Sequence, residues 1–444
     1  MPESYETIVE RVTVEHKRTI GVGIIGAGER GVYTIGARMA EQVDNEELVI
    51  RAVADVNQTR LQEAKDFLEE KYRAQDRDVS ISIYSDYREL IRDPRVELIL
   101  ITTFTSKHIE SAIPALKSKK RVYLDKPIAT RIEDSYRIIQ VEKEEENPLI
   151  MGFTRRYETP WRRVHELLDE GRIGSLQMIL LRSVIPYSRY LQRWHRNREL
   201  SGGALNDKAS HHFDVFNWFS NSKPEVIQAM GGRSNVFAPD PAAPARCRDC
   251  DRLCPYRVLP SKTVSEPGVY YTLEKEYTQG KTSLFMQPSW HDALSETDAV
   301  DNCVYNPAAD IFDHAMVHVS YENGVKASLF LSIFGPVAED QETLELVGST
   351  GRIRLVRNTG EIDLVNEFGA HHETIDASDS HIGSSHNGAD VRLLKDIRGF
   401  CEGHLPVARS TDGHLSLRMV HAAQRAVELG GATIPMNEVP FGDV

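Results

Sequence analysis

Thr19-Ile20-Gly21-Val22-Gly23-Ile24-Ile25-Gly26-Ala27-Gly28-Glu29-Arg30-Gly31 runs from a short apolar strand into a glycine-rich turn, and helix-forming sequence follows from Val32. Gly26, Gly28 and Gly31 fill G-x-G-x-x-G. The first glycine allows a tight turn, the second lets backbone approach a pyrophosphate, and the third lets helix pack on strand. A helix N-terminus then presents its N–H groups to phosphate, so Glu29 and Arg30 are placed beside a cofactor. A second strand, Leu48-Val49-Ile50-Arg51-Ala52-Val53-Ala54, ends at Asp55, where a ribose 2′-hydroxyl would be held. The carboxylate favours NAD, because the 2′-phosphate of NADP would meet a like charge. Arg51 and Arg60 are the residues that would serve NADP.

Outward from that stretch, 444 residues are too many for one ordinary core, so two domains are expected. Hydrophobic content of 41% and charged content of 27% suit a globular enzyme. A net charge of −13 argues against nucleic acid or an anionic membrane as partner. No apolar run approaches the roughly 20 residues that span a bilayer. Residues 1–18 are polar and read as a short arm on a cytoplasmic protein.

Strand and helix alternate from Thr19 to Gly152. Strand candidates cover 21–25, 48–54, 80–84, 98–103, 121–124 and 149–153, with helices over 58–73, 107–118 and 132–144. The pattern predicts an α/β Rossmann domain over 19–152, with ligands beyond the carboxyl ends of a parallel sheet. From 153 to 444 the texture changes. After a helix at 160–170, strand-like runs at 176–184, 315–322, 326–333, 343–347 and 353–356 predict a large, mostly antiparallel open sheet. Such a face needs cover, so a homodimer or homotetramer is expected. An insertion without clear period spans about 235–307, and helices return over about 390–430.

Two constellations carry chemistry. Tyr123-Leu124-Asp125-Lys126-Pro127 lies at a strand's carboxyl end, where a nicotinamide would sit, and Lys126 there can favour a developing alkoxide. Ser201-Gly202-Gly203-Ala204-Leu205-Asn206-Asp207-Lys208-Ala209-Ser210-His211-His212-Phe213-Asp214 places Asp207 and His211 four apart. On a helix they share a face, and the carboxylate would raise the imidazole pKa toward that of a general base. A helix start with a core histidine is the plainer reading of that stretch taken alone. Tyr187, Arg189, Tyr190, Arg193, Trp194, His195 and Arg196 precede it and suit stacking on a sugar, or equally a solvated loop.

Together these pieces resemble the Gfo/Idh/MocA oxidoreductase family, the relatives of glucose–fructose oxidoreductase and inositol dehydrogenase. Its E-K-P motif stands as Asp125-Lys126-Pro127. Its G-G-G-x-x-x-D-x-G-x-H-x-x-D stretch stands as Ser201-Gly202-Gly203 through Asp207, His211 and Asp214. Gly152, Arg156 and Tyr157 match its G-x-x-x-R-[FY], and His386-Asn387-Gly388-Ala389-Asp390 its late H-G-G-x-D. The resemblance implies a Rossmann domain followed by an open-sheet α/β domain, tightly held NAD(P), and a sugar, cyclitol or related polyol as substrate. It implies that Lys126 polarises the reacting hydroxyl, that His211 exchanges its proton and that Asp207 supports both. Thr103, His108 and Asp125 then join the cofactor side. Arg156, Tyr157, Arg193, Trp194, Lys208 and His212 are the candidate substrate contacts. Departures are Asp125 for Glu, Phe104 where T-P-x-x-x-H has Pro, Ser201 for Gly, and Lys208 and Ala209 after Asp207.

Cys247-x2-Cys250-x3-Cys254-Pro255, with Cys303 further on, supplies four thiolates. A structural tetrahedral Zn²⁺ is the expectation. Reduced free thiols, redox sensing and an iron–sulfur cluster are the alternatives, the last because Cys-Pro also occurs in ferredoxin-like spacing. The functional expectation is hydride transfer between nicotinamide and a secondary hydroxyl of a sugar or cyclitol. A redox-neutral glycosidase that oxidises, eliminates, hydrates and reduces would use the same residues. A non-catalytic sugar or NAD sensor would not need them.

Overall fold

The computed structural model describes residues 18–41, 48–252, 254–256, 301–336, 338–378 and 388–442. Residues 1–17, most of the insertion's second half, and His386 and Asn387 lie outside the described residues. The first sheet has strands β1 (Ile20–Ile25), β2 (Leu48–Ala54), β3 (Ser82–Tyr84), β4 (Leu98–Ile101), β5 (Arg121–Leu124) and β6 (Leu149–Met151). They lie in the order β3-β2-β1-β4-β5-β6, and every pairing is parallel. Strand order reverses between β1 and β4, the place beyond the strand ends where sheets of this kind hold their ligands.

Local chemistry explains the connections. Asn57 caps helix Gln58–Arg73 by accepting the Arg60 N–H, and β-branched residues crowd β1 and β2. Gly26 takes φ +98°, and a Cβ there would press on the Thr102 carbonyl at 2.7 Å. Only glycine lets β1 turn so close to β4.

The second sheet holds β7 (Leu176–Val184), β8 (Pro224–Gly232), β9 (His314–Tyr321), β10 (Lys326–Ser332), β11 (Glu342–Gly348), β12 (Arg352–Val356), β13 (Glu361–Asn366), β14 (His371–Asp376) and β15 (Thr433–Pro435). Their order is β14-β13-β12-β11-β7-β10-β9-β8-β15. All pairings are antiparallel except β7 with β10 at the centre. One face packs on helices Thr159–Asp169, Ser210–Ser220 and Ser410–Glu428. Along β7, β9 and β10 the other face exposes Met178, Leu180, Met316 and Phe330.

Helix Ala389–Cys401 departs from the sequence expectation of a simple C-terminal pair of helices on the second domain. Its Ala389, Leu393, Ile397 and Phe400 are buried with Ile24, Val22 and Tyr123 of the first sheet. The chain therefore crosses back and completes the first domain's core. Among the described residues no helix is long and apolar enough to cross a membrane.

A buried ion cluster joins the two domains' connecting segment to the second sheet. Glu158 accepts from the Arg357 guanidinium at 2.8 and 2.9 Å and from Arg155 at 3.2 Å, and Arg155 also bonds Glu342 on β11. Burial opposes ionisation of Glu158 and Glu342, yet the arginines outweigh it and hold both carboxyls below the usual range. Removing one partner strands a buried charge. Glu342→Ala should lower unfolding stability by about 3–5 kcal/mol, measured by urea denaturation at neutral pH. A loss below 1 kcal/mol would show that the cluster is not holding the sheet.

Candidate active site

Lys126 sits just past β5, where the Leu124 strand end meets Pro127. Asp207 lies in the helical stretch Leu205–Ala209 that leads into Ser210–Ser220. Although 81 residues apart, Lys126 Nζ donates to Asp207 Oδ1 at 3.0 Å and to the Asp207 carbonyl at 2.9 Å. Tyr190 donates its hydroxyl to the other carboxylate oxygen. Burial disfavours the Asp207 carboxylate, but the Lys126 ammonium and the Tyr190 hydroxyl hold its pKa well below the usual range. An ammonium has three N–H donors; two are given to Asp207, and one is left for an incoming oxygen.

His211 stands beside this pair, 8% exposed, with its ring edge-on to Phe153 at 6.0 Å. Its buried Nδ1 has no hydrogen-bond partner. Burial, then the Lys126 charge, pushes its pKa well below the ordinary histidine value. The sequence expectation that Asp207 raises this pKa is therefore overturned. Residues 205–209 form a wide π-type turn with i→i+5 bonding, so residues four apart no longer stand over one another. The carboxylate faces Lys126 and Tyr190 instead.

Above them lies an aromatic stack. His195 packs on Trp194 at 4.0 Å and on Tyr190 at 4.8 Å, and Trp194 meets Phe104 at 4.8 Å. Phe104 holds φ −58°, a value proline would take, so the loop shape survives the substitution while the ring gains Trp194 as partner. His195 is pushed down to about 3 by burial, despite the opposing Asp207 charge. Arg193 reaches across the cleft to Glu29 at 3.8 Å. Tyr190 and His195 thus belong to the site more directly than their place in an aromatic, basic run suggests.

On the cofactor side, a Cβ on Gly28 would meet nothing within 4 Å, so the loop's face is open to a phosphate, whereas one on Gly31 would strike Thr102. Asp55 accepts the Ala27 N–H and the Asn57 N–H, both at 2.9 Å, and pairs with Arg60 at 3.9 Å. A carboxylate has about four acceptor positions, which leaves room for ribose hydroxyls. Val56, 90% exposed beside it, offers an apolar surface to a flat base. The open glycine face, the acid and the apolar shelf fit a dinucleotide. Val56 was not singled out from sequence; its position just after the ribose acid is the signal.

Several expected contacts are structural. Arg30 pairs with Asp390 at 2.7 Å and approaches Asp125 at 3.5 Å, bolting the glycine loop to helix Ala389–Cys401. Tyr123 donates to Asp125 at 2.9 Å, and a Cβ on Gly152 would collide with both. His108 is buried, its Nδ1 2.9 Å from the Pro127 carbonyl and its Nε2 3.3 Å from the Thr103 carbonyl. It ties the loop after β4 to the loop after β5, and Thr103 bonds back to Phe104.

Four candidate substrate contacts face other side chains of the chain. Arg156 makes a bidentate pair with Asp214 at 2.7 and 3.0 Å, and Tyr157 bonds Asp396. His212 is fully buried, 3.7 Å from Glu342. Lys208 is 9% exposed and rests over the Tyr187 ring at 5.1 Å, facing the buried ion cluster. Arg193 and Trp194 do border the cleft. The zinc expectation also fails: among the described residues no three His, Cys, Asp or Glu side chains are grouped to hold one ion.

Comparison with known proteins accords with this geometry. Residues 20–153 match a family model described as oxidoreductase family, NAD-binding Rossmann fold, and residues 165–436 match the family's C-terminal alpha/beta domain. A Bacillus subtilis protein named as an oxidoreductase, YteT, is 26% identical over 273 residues, covering 60% of this chain and 62% of its own. The myo-inositol 2-dehydrogenase of Thermotoga maritima is 30% identical over 210 residues, 47% of this chain and 58% of its own. The chain thus spans about three fifths of the length of the curated relatives it matches. A levoglucosan dehydrogenase solved with NADH and levoglucosan shares the fold, with a TM-score of 0.68 at 17% identity over 95% of this chain and 100% of that one. With both domain models matched in order along most of its length, this chain belongs to the Gfo/Idh/MocA oxidoreductase family.

Proposed function

We propose that the chain is an NAD-dependent dehydrogenase that acts on a secondary hydroxyl of a sugar, cyclitol or sugar derivative. The observation that carries this is the Lys126–Asp207 pair at 3.0 Å, assembled across the domain boundary beside a neutral, unpartnered imidazole. Relatives named as inositol dehydrogenases and a fold neighbour solved with levoglucosan support a carbohydrate or cyclitol substrate.

Bound NAD supplies the hydride acceptor. Lys126 directs its remaining N–H to the substrate oxygen and stabilises the alkoxide character that grows as hydride leaves. Asp207 and Tyr190 hold the ammonium in place. His211, kept neutral by burial, takes the hydroxyl proton; in the reverse direction it returns it. The Trp194–His195 edge gives a sugar ring an apolar face to lie against. Asp55 favours NAD over NADP by its charge.

A panel of sugars, cyclitols and glycosides incubated with NAD or NADP tests the reading. Stoichiometric NADH with a keto product is expected, faster with NAD than NADP. Lys126→Met should lower kcat by about a hundredfold or more while NADH still binds. Aglycone release without net NADH would overturn the dehydrogenase assignment.

The pH dependence follows from His211. Its pKa lies below the ordinary value of about 6.5, so the imidazole stays neutral as pH falls through that value. For oxidation of the alcohol, kcat/KM should therefore show no histidine limb between pH 6 and 7. A limb there that vanishes in His211→Asn would contradict the assigned state.

The open sheet face supports a homodimer or homotetramer. Met178, Leu180, Met316 and Phe330 lie on three adjacent strands and stay 41–45% exposed, a contiguous apolar surface of the kind that subunits cover. Light scattering should give at least twice the 50.1 kDa chain mass, and Phe330→Asp should shift it toward monomer. A monomer at micromolar concentration would refute this.

A further inference from the structure

Four of the five cysteines surround one space outside the cleft. Cys247, Cys250, Cys254 and Cys303 all line a cavity of about 100 Å³, with Arg252 and Tyr305 on its wall. They are thiols, not disulfides. The flanking backbone is pinned: the Cys247 N–H donates to the Asp301 carbonyl at 2.7 Å, and the Cys303 N–H to the Ala245 carbonyl at 3.0 Å. Cys254 Sγ accepts the Tyr256 N–H at 3.4 Å.

Size decides what such a site takes. Zinc would draw four sulfurs to about 2.3 Å from one point, leaving no open centre. Here the thiols stand around a cavity far larger than the roughly 10–15 Å³ that admits one water, and no three of them converge on a single-ion position among the described residues. The spacing is one residue longer in its second gap than the Cys-x2-Cys-x2-Cys of a cluster-binding run, and Cys303 supplies a remote fourth thiol.

We propose that Cys247, Cys250, Cys254 and Cys303 hold a [4Fe–4S] cluster in this cavity. Its role is structural, and the hydride transfer passes no electron through it. The cavity wall grips the substrate side of the cleft. Gln192 Nε2 donates to the Tyr256 carbonyl at 2.6 Å, and Asn302 Nδ2 donates to the Gln192 carbonyl at 2.9 Å. Helix Arg189–Gln192 carries Tyr190, which bonds Asp207. The cluster thereby fixes the segment that positions Tyr190.

The full chain, purified without oxygen and reconstituted with ferric iron, sulfide and a thiol reductant, tests this. About four iron and four acid-labile sulfide per chain are expected, with a visible charge-transfer band and a low-temperature EPR signal after reduction. Cys254→Ser and Cys303→Ser should each lose the band, whereas Cys401→Ser should keep it. Should the serine variants misfold, bleaching the intact protein with air and chelator replaces them. Hydrogen exchange over 189–192 should then rise at least tenfold. One zinc per chain without sulfide, or four titratable thiols with no metal after reconstitution, would overturn the cluster. Unchanged exchange after bleaching would overturn its positioning role. None of these readouts depends on the dehydrogenase substrate.

Discussion

The Lys126–Asp207 ion pair is the constraint around which the cleft is organised. Two opposite charges sit in a nearly dry site, where burial costs each several kcal/mol and only good geometry offsets it. The pair meets that condition with a 3.0 Å contact, a second bond to the Asp207 carbonyl and a Tyr190 hydroxyl on the remaining carboxylate oxygen. Because Lys126 follows a strand of the first sheet and Asp207 a turn packed on the second, the pair also sets how the domains face each other. Neutral groups gather around it. His211 and His195 are both driven to the uncharged form, mainly by burial.

Further contacts brace the cofactor loop and the cleft beside it. Arg30 ties the glycine loop to Asp390, Glu29 faces Arg193, and Phe104 rests on Trp194. The cofactor loop is thus braced before any ligand arrives. Pre-organisation of this kind lowers the ordering cost of binding and leaves the donors aimed where charge develops.

Beneath the cleft a second layer of charge does different work. Arg155, Glu158, Glu342 and Arg357 bond one another, and Lys208 and His212 face them. Arg156 and Tyr157 find Asp214 and Asp396. Residues of the same chemical type therefore divide between binding and packing. For Arg156 and Tyr157 the deciding carboxylate lies 58 and 239 positions away in the chain.

The sequence by itself determined the first domain almost strand by strand, because periodicity, the G-x-G-x-x-G turn and the acid at Asp55 are local signals. It also singled out Lys126, Asp207 and His211, through motifs at a strand end and a helix start, and the fold brings Lys126 against Asp207. Strands β8, β13, β14 and β15 were not legible. β14 is an exposed edge of polar residues, and β8 is bounded by Pro224 and Gly232. Tertiary structure alone decided which partner each charge takes. The π-type turn over Leu205–Ala209 swung Asp207 away from His211, and helix Ala389–Cys401 crossed back to close the first core. Ion pairing and burial are set by three-dimensional neighbours, and a linear pattern carries no record of them.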